Sequence, residues 1–228
     1  MGILRRILGT VFVIVAFVGG WQVRGWLHPG GSPAAAAAKD PAPLLLAGVP
    51  DVRQSTVYSC GASVLQAVLQ YYGQESREDA LMKECRTTAA LGTQPGQIIK
   101  AARARGLQAE LKEGLDLNAL EAALWRKIPV ICAIQAWADS EKPGFSWAKD
   151  WEDGHYVIVI GLDGKNVYVE DPSILGSRGV IPRTEFLERW HDYEGKPPFD
   201  KTDRAYRAMG IFIEGAKPVP PPPFTHVE

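Results

Sequence analysis

Apolar positions change their spacing along the chain, and each change marks a different kind of element. From Ile7 to Val23 no charged residue interrupts the run, with Arg5 and Arg6 before it and Arg24 behind. At 1.5 Å per helical residue this stretch spans about 25 Å, slightly short of the ~30 Å hydrocarbon core. A basic start followed by an apolar run reads as a signal anchor or signal peptide over residues 1–26. The length of the run favours the anchor, which would hold the chain in the membrane and the rest of it outside the cytoplasm. Residues 27–46 read as a Pro/Ala/Gly linker and 216–228 as a Pro-rich tail, since proline fits neither a sheet nor a helix interior. The folded domain is then 47–215.

Within the domain helical spacing comes first. Leu65, Val68, Leu69 and Tyr72 share one face of a helix over 61–72, and Gly73 supplies its stop. Ser76 to Asp79 has the form of a capping box opening a short helix through Cys85. Pro95 opens a third helix that Gly106 ends, and Asp116 caps a fourth reaching about Lys127. Leu107 to Leu111 reads as a strand and Pro129 to Gln135 as a buried one. In the second half Tyr156 to Leu162 is apolar on both faces, as in a central strand covered on both sides. Asp163-Gly164 is a hairpin signal, and Asn166 to Glu170 returns antiparallel. Strands at 179–182 and 209–213 flank a helix over 184–190. The sum predicts an α+β domain, helical in its N-terminal half and an antiparallel β-sheet in its C-terminal half, with a cleft between.

Composition removes several function classes. Hydrophobic residues at 46% and charged residues at 22% suit a globular domain. The 25 basic and 26 acidic residues form no basic stripe interleaved with aromatics, so nucleic-acid binding has no support. No Gly-x-x-x-x-Gly-Lys loop marks an ATP site. The 4 histidines and 3 cysteines lack zinc spacing, so no metal or other cofactor is implied. Three cysteines cannot all pair within one chain. A Cys85–Cys132 bridge in an oxidising compartment and a small core residue at Cys132 both remain open, and Cys60 is then the free thiol.

The candidate chemistry centres on that thiol. Cys60 sits where a loop becomes a helix, facing unpaired first-turn N–H groups and the positive end of the helix dipole, a placement that favours a thiolate nucleophile. Gly61 leaves room beside the sulfur for a substrate carbonyl. Gln54, on the loop feeding the helix, can offer an amide N–H to an oxyanion, with the Cys60 N–H as second donor. His155, at the mouth of the apolar strand that follows Gly154, is the only well-placed base. His28 and His226 lie in linker and tail, and His191 follows a surface helix. Asp171 on the return strand can accept from the imidazole and fix its tautomer. That requires Asp171 and His155 on one face, hence a three-residue hairpin loop or a bulge. The segment from Ala136 to Gly154 is long for a plain connection and carries Trp137, Trp147 and Trp151, which together with Gly61 and Gly154 are candidates for lining the cleft.

The segments from Gln54 to Ala62, from Gly154 to Gly161 and from Asp171 to Ser173, with Leu91-Gly92-Thr93 between, resemble the bacteriocin-processing, double-glycine-leader cysteine peptidases. The resemblance covers roughly 47–190. It implies a papain-like fold, with Gln54 as oxyanion donor, Cys60 as nucleophile, His155 as base and Asp171 as orienter, acting on a peptide or protein substrate. The best-known members are fused to an export transporter, for which this chain has no room. The expected function is a cysteine peptidase acting outside the cytoplasmic membrane through a Cys60 thioester. An amidase or acyltransferase acting on a small or cell-wall amide, or a non-enzymatic peptide-binding module, is the alternative.

Overall fold

The computed structural model describes residues 42–137, 142–174 and 176–216, together with 218 and 220. The leader, most of the linker and nearly all of the tail lie outside the described residues. Among the described residues no helix is long and apolar enough to cross a membrane. A short strand β1 (Leu44–Leu45) precedes the helices α1 (Cys60–Tyr71), α2 (Glu78–Glu84) and α3 (Pro95–Ala104). Next come β2 (Gln108–Lys112), α4 (Leu117–Trp125) and β3 (Val130–Gln135), then β4 (Gly154–Leu162), β5 (Asn166–Glu170) and β6 (Gly179–Pro182). The chain continues through α5 (Arg183–Arg189), β7 (His191–Glu194), β8 (Arg204–Arg207) and β9 (Gly210–Glu214). The expected α+β order is therefore the observed one.

Each helix closes for a local reason. After α1 and α3, Gly73 and Gly106 take φ values of 75° and 78°. Gln74 N then donates to Leu69 O, and Leu107 N to Ala102 O, so the last carbonyls are satisfied. After α4 the same left-handed position falls on Lys127, with φ of 59°. Asp116 caps α4 through the Ala119 N–H as expected. The capping box at Ser76 does not form. The residue before α2 is Arg77, without a side-chain cap, and Asp79, the acidic residue that the box needs, accepts instead from Arg77 Nε at 3.0 Å.

One antiparallel sheet runs in the order β2-β9-β3-β4-β5-β6, and β1 also pairs with β4. In β4 every residue after Gly154 is buried, as a strand covered on both faces requires. α1 lies against it, and its Val64, Leu65, Val68 and Leu69 are almost fully buried. Leu44 pairs with Leu162 and Leu45 with Gly161, so the fold begins inside the expected linker. Cys85 and Cys132 are unpaired core residues, and burial pushes the Cys85 thiol up to about 12 and that of Cys132 higher still.

The β4–β5 hairpin decides the geometry of the site. Leu162 pairs with Val167 and Gly161 with Tyr168, an even-residue connection that alone would put Asp171 on the wrong face. A bulge between Val159 and Gly161 then shifts the register by one, so Ile158 pairs with Glu170. The carbonyl of the extra residue, Ile160, is not lost, because Leu46 N donates to it at 2.6 Å. Of the two expected routes, the bulge is the one used. The small β7–β8 sheet was not expected, since neither His-Asp-Tyr-Glu nor Arg-Ala-Tyr-Arg alternates apolar with polar residues.

Candidate active site

Cys60 is the first residue of α1, and the loop before it is tied by polar contacts. Ser59 Oγ accepts from Thr56 N and Thr56 Oγ1 and donates to Thr56 O. Ser59 is the N-cap residue but gives no side-chain cap, so the first-turn N–H groups keep their hydrogens for a ligand. Glu78 braces the loop from behind through Ser55 N at 2.9 Å and Ser63 Oγ at 2.9 Å.

His155 is the second residue of β4 and is 1% exposed. Its Nε2 lies 2.7 Å from Asp171 Oδ1, which also accepts from Ser173 N and Ser173 Oγ. The other ring nitrogen, Nδ1, is buried without a hydrogen-bond partner, and Cys60 lies near enough to the ring to favour its protonated form. Desolvation opposes protonation of this imidazole. The bond to Asp171 and the nearness of Cys60 outweigh it and raise its pKa to about 9. Asp171 is shifted the other way: burial would raise its carboxyl, but the bond to His155 carries it below the usual value. The structure thus brings together Cys60 from α1, His155 from β4 and Asp171 from the end of β5.

Gln54 stands on the same loop as Cys60, and its N–H donates to Pro172 O at 2.9 Å, beside Asp171. Its Nε2 donates to Thr56 O at 2.8 Å, which leaves the second amide hydrogen uncommitted.

Other expected cleft residues fall differently. The space above Gly61 is filled: a Cβ there would lie 2.6 Å from Thr93 Cβ, so this glycine admits Thr93 and not a substrate carbonyl. Gly154 does line a groove with Cys60. Trp137 lies with its ring 4.9 Å from the imidazole of His155. Trp147 packs under the Arg189 guanidinium and against Phe145, and Trp151 stacks on Phe199; neither is among the residues lining the groove beside Cys60, though Trp151 and Trp137 line a second pocket together. His191 is not on a surface. It is 3% exposed, with Nε2 2.6 Å from Asp150 O, and takes no part in the Cys60 constellation. Sequence reasoning missed Thr93 and Gln135. The Gln135 side chain accepts from Asp153 N and donates to His191 O, bracing the entry to the His155 strand. Its only sequence signal was a polar residue ending an apolar strand.

A buried thiol near an imidazole that is itself bonded to a carboxylate can generate a nucleophile and carry its proton. Comparison with known proteins finds peptidase relatives. Pediocin PA-1 transport/processing ATP-binding protein PedD of Pediococcus acidilactici is 25% identical over 131 residues, 58% of this chain and 16% of the relative. The chain therefore spans about a sixth of that relative's length. An uncharacterized protein of Methanothermobacter thermautotrophicus is 28% identical over 54% of this chain and 71% of its own. Among solved structures, the peptidase domain of Streptococcus ComA, a bi-functional ABC transporter, aligns with a TM-score of 0.53 at 18% identity, over 74% of this chain and 100% of that one. A double glycine motif protease from an AMS/PCAT transporter, solved with its leader peptide, aligns with a TM-score of 0.50 at 23% identity, over 75% and 94% of the two chains. These likenesses establish the papain-like cysteine peptidase fold. A sequence model described as the Peptidase_C39 like family matches residues 46–197, and the chain belongs to that family.

Proposed function

We propose that this chain is a cysteine peptidase that hydrolyses peptide bonds through a Cys60 acyl-enzyme, outside the cytoplasmic membrane. The observation that carries the reading is the buried His155 imidazole, bonded at Nε2 to Asp171 and leaving Nδ1 without a partner, with Cys60 near enough to act on its protonation. In the proposed reaction His155 takes the Cys60 proton and the thiolate attacks the amide carbonyl. The oxyanion is held by the Cys60 N–H and the free hydrogen of Gln54 Nε2. Protonated His155 gives its proton to the departing amine, leaving a thioester. His155 then takes a proton from water, whose oxygen attacks the thioester and frees the acid and the thiol. A peptide substrate is supported by the related protease solved with a leader peptide. The extracytoplasmic site is supported by the basic-then-apolar pattern of residues 1–26.

Intact-mass labelling of the purified chain with iodoacetamide between pH 5 and 9 tests the activated thiol. One fast-reacting cysteine is expected, absent in Cys60→Ala and slowed near neutral pH in His155→Ala. Cys85 and Cys132, buried in the core, should stay unlabelled in the folded protein. A Cys60 that reacts no faster than a free thiol would leave the fold as a peptide-binding module.

A further inference from the structure

Beside the nucleophile runs a narrow groove of about 190 Å³. Cys60, Gly154 and Tyr156 line it, with the loop 89–95 and the stretch from Asp192 to Pro197 on its walls. Its only charged lining residues are Glu152 and Asp192, both acidic. Asp192 is seated against the strand that carries His155, since a Cβ on Gly154 would meet Asp192 Oδ1 at 2.5 Å. Its carboxylate is held in place by the Tyr193 N–H at 2.9 Å and by the Gln135 side chain. Among the described residues no lysine or arginine pairs with it, whereas the buried carboxylate of Glu170 has Arg178.

Asp192 is half-buried beside that groove, and its carboxylate has no counterion to offset the cost of its partial desolvation. Desolvation raises the Asp192 pKa to about 7, against the opposing bonds from Tyr193 N and Gln135 and the charge of His155. A cation entering the groove would relieve that cost, and an acidic group would add to it. We infer that Asp192 is a specificity-determining residue: it takes the ammonium or guanidinium of a substrate lysine or arginine beside the scissile bond, so the enzyme prefers basic cleavage sites. The inference rests on the peptidase reading for its scissile bond.

Binding separates the two. Fluorescent peptides that differ only in Lys, Leu or Glu, at each position within three of the cut site, are titrated against the full chain carrying Cys60→Ala. The same series is titrated with Asp192→Asn or Asp192→Lys added, each variant first checked for an unchanged melting transition. At one position Lys should bind at least about tenfold tighter than Glu, as one charge-assisted hydrogen bond allows. The ratio should fall below about threefold in Asp192→Asn and invert in Asp192→Lys. No Lys preference with Asp192 intact, a preference that survives Asp192→Asn, or no peptide binding at all overturns the inference. Failure of the wild-type chain to cut any peptide of the series would instead count against the peptidase reading, and the binding ratios would still be readable.

Discussion

At the scale of single residues the site depends on proton placement. The His155 pKa near 9 lies above its ordinary 6.5, so the protonated ring contributes stability that is complete below pH 6.5 and lost as pH rises through 9. An ion pair of Cys60 thiolate with protonated His155 would have its high-pH limit at the same value. Asp171→Asn removes the negative partner at Nε2, so the upper limb of the pH profile for kcat/KM should move down from about 9 toward 6.5. At pH 8 kcat/KM should drop about 10- to 100-fold, and the fall of the urea midpoint between pH 6.5 and 9 should flatten. An upper limb that does not move would remove Asp171 from its orienting role. Gln54 calls for a different readout. Gln54→Ala should lower kcat by about 10²–10³ with KM nearly unchanged, because the oxyanion exists only along the reaction path. Iodoacetamide alkylation of Cys60 makes no oxyanion, so its rate should be the same in this variant. A slowed alkylation would show instead that Gln54 shapes the loop.

At the scale of elements the question is how a loop and a helix hold the thiol in place. Gly61 lies in the first turn of α1, where alanine would ordinarily be better by about 0.5–1 kcal/mol. Here a Cβ would lie 2.6 Å from Thr93 Cβ and 3.0 Å from Thr93 Oγ1. Thr93 is 3% exposed and bonded through Oγ1 to Thr87 Oγ1 at 2.7 Å, so it cannot swing aside freely. Gly61→Ala should therefore cost about 1–3 kcal/mol by urea denaturation. In a Thr93→Gly background, which removes the offending Cβ, the same change should be neutral or stabilising, giving a coupling of about 2 kcal/mol. Equal costs in both backgrounds would mean that Thr93 is not what Gly61 accommodates. Much at this scale was legible in the sequence, because Pro95, Asp116, Gly73 and Gly106 act within their own stretch of chain and need no distant partner. The Ser76 capping box failed because the helix starts one residue later, with Arg77 before it taking the Asp79 carboxylate. The Gly61 contact was equally hidden, since a gap and a filled gap read alike in one dimension.

At the scale of the molecule, the nucleophile and its base come from opposite halves, and their alignment depends on what joins the two. Parity of the β4–β5 hairpin could be argued from sequence, but the bulge that settles it depends on Leu46 capping Ile160 O, a contact between segments 114 residues apart. The tie between the halves was illegible for the same reason. Four bonds fasten the loop feeding Cys60 to the end of β5 and the start of β6: Gln54 N to Pro172 O, Val52 N to Glu170 Oε1 at 3.0 Å, Arg53 Nη1 to Ser173 O at 3.3 Å, and Arg178 Nη2 to Val49 O at 2.6 Å. Glu170 has a side chain only 1% exposed, and the Arg178 guanidinium is its counterion. Arg178→Met would leave that carboxylate buried with the Val52 N–H as its remaining donor. Breaking a fully buried pair costs about 3–5 kcal/mol, but the Arg178 side chain is 40% exposed and water can partly replace it, so about 2 kcal/mol is expected. Adding Glu170→Gln removes the stranded charge and should recover about half of that loss, while the loop stays less firmly held. Alkylation of Cys60 should then be slowed in both the single and the double variant, because the thiol no longer keeps its place against His155. Should the double variant regain stability and full alkylation rate together, the pair would be a stabilising contact only, and alignment of the two halves would rest on the Gln54–Pro172 and Arg53–Ser173 bonds.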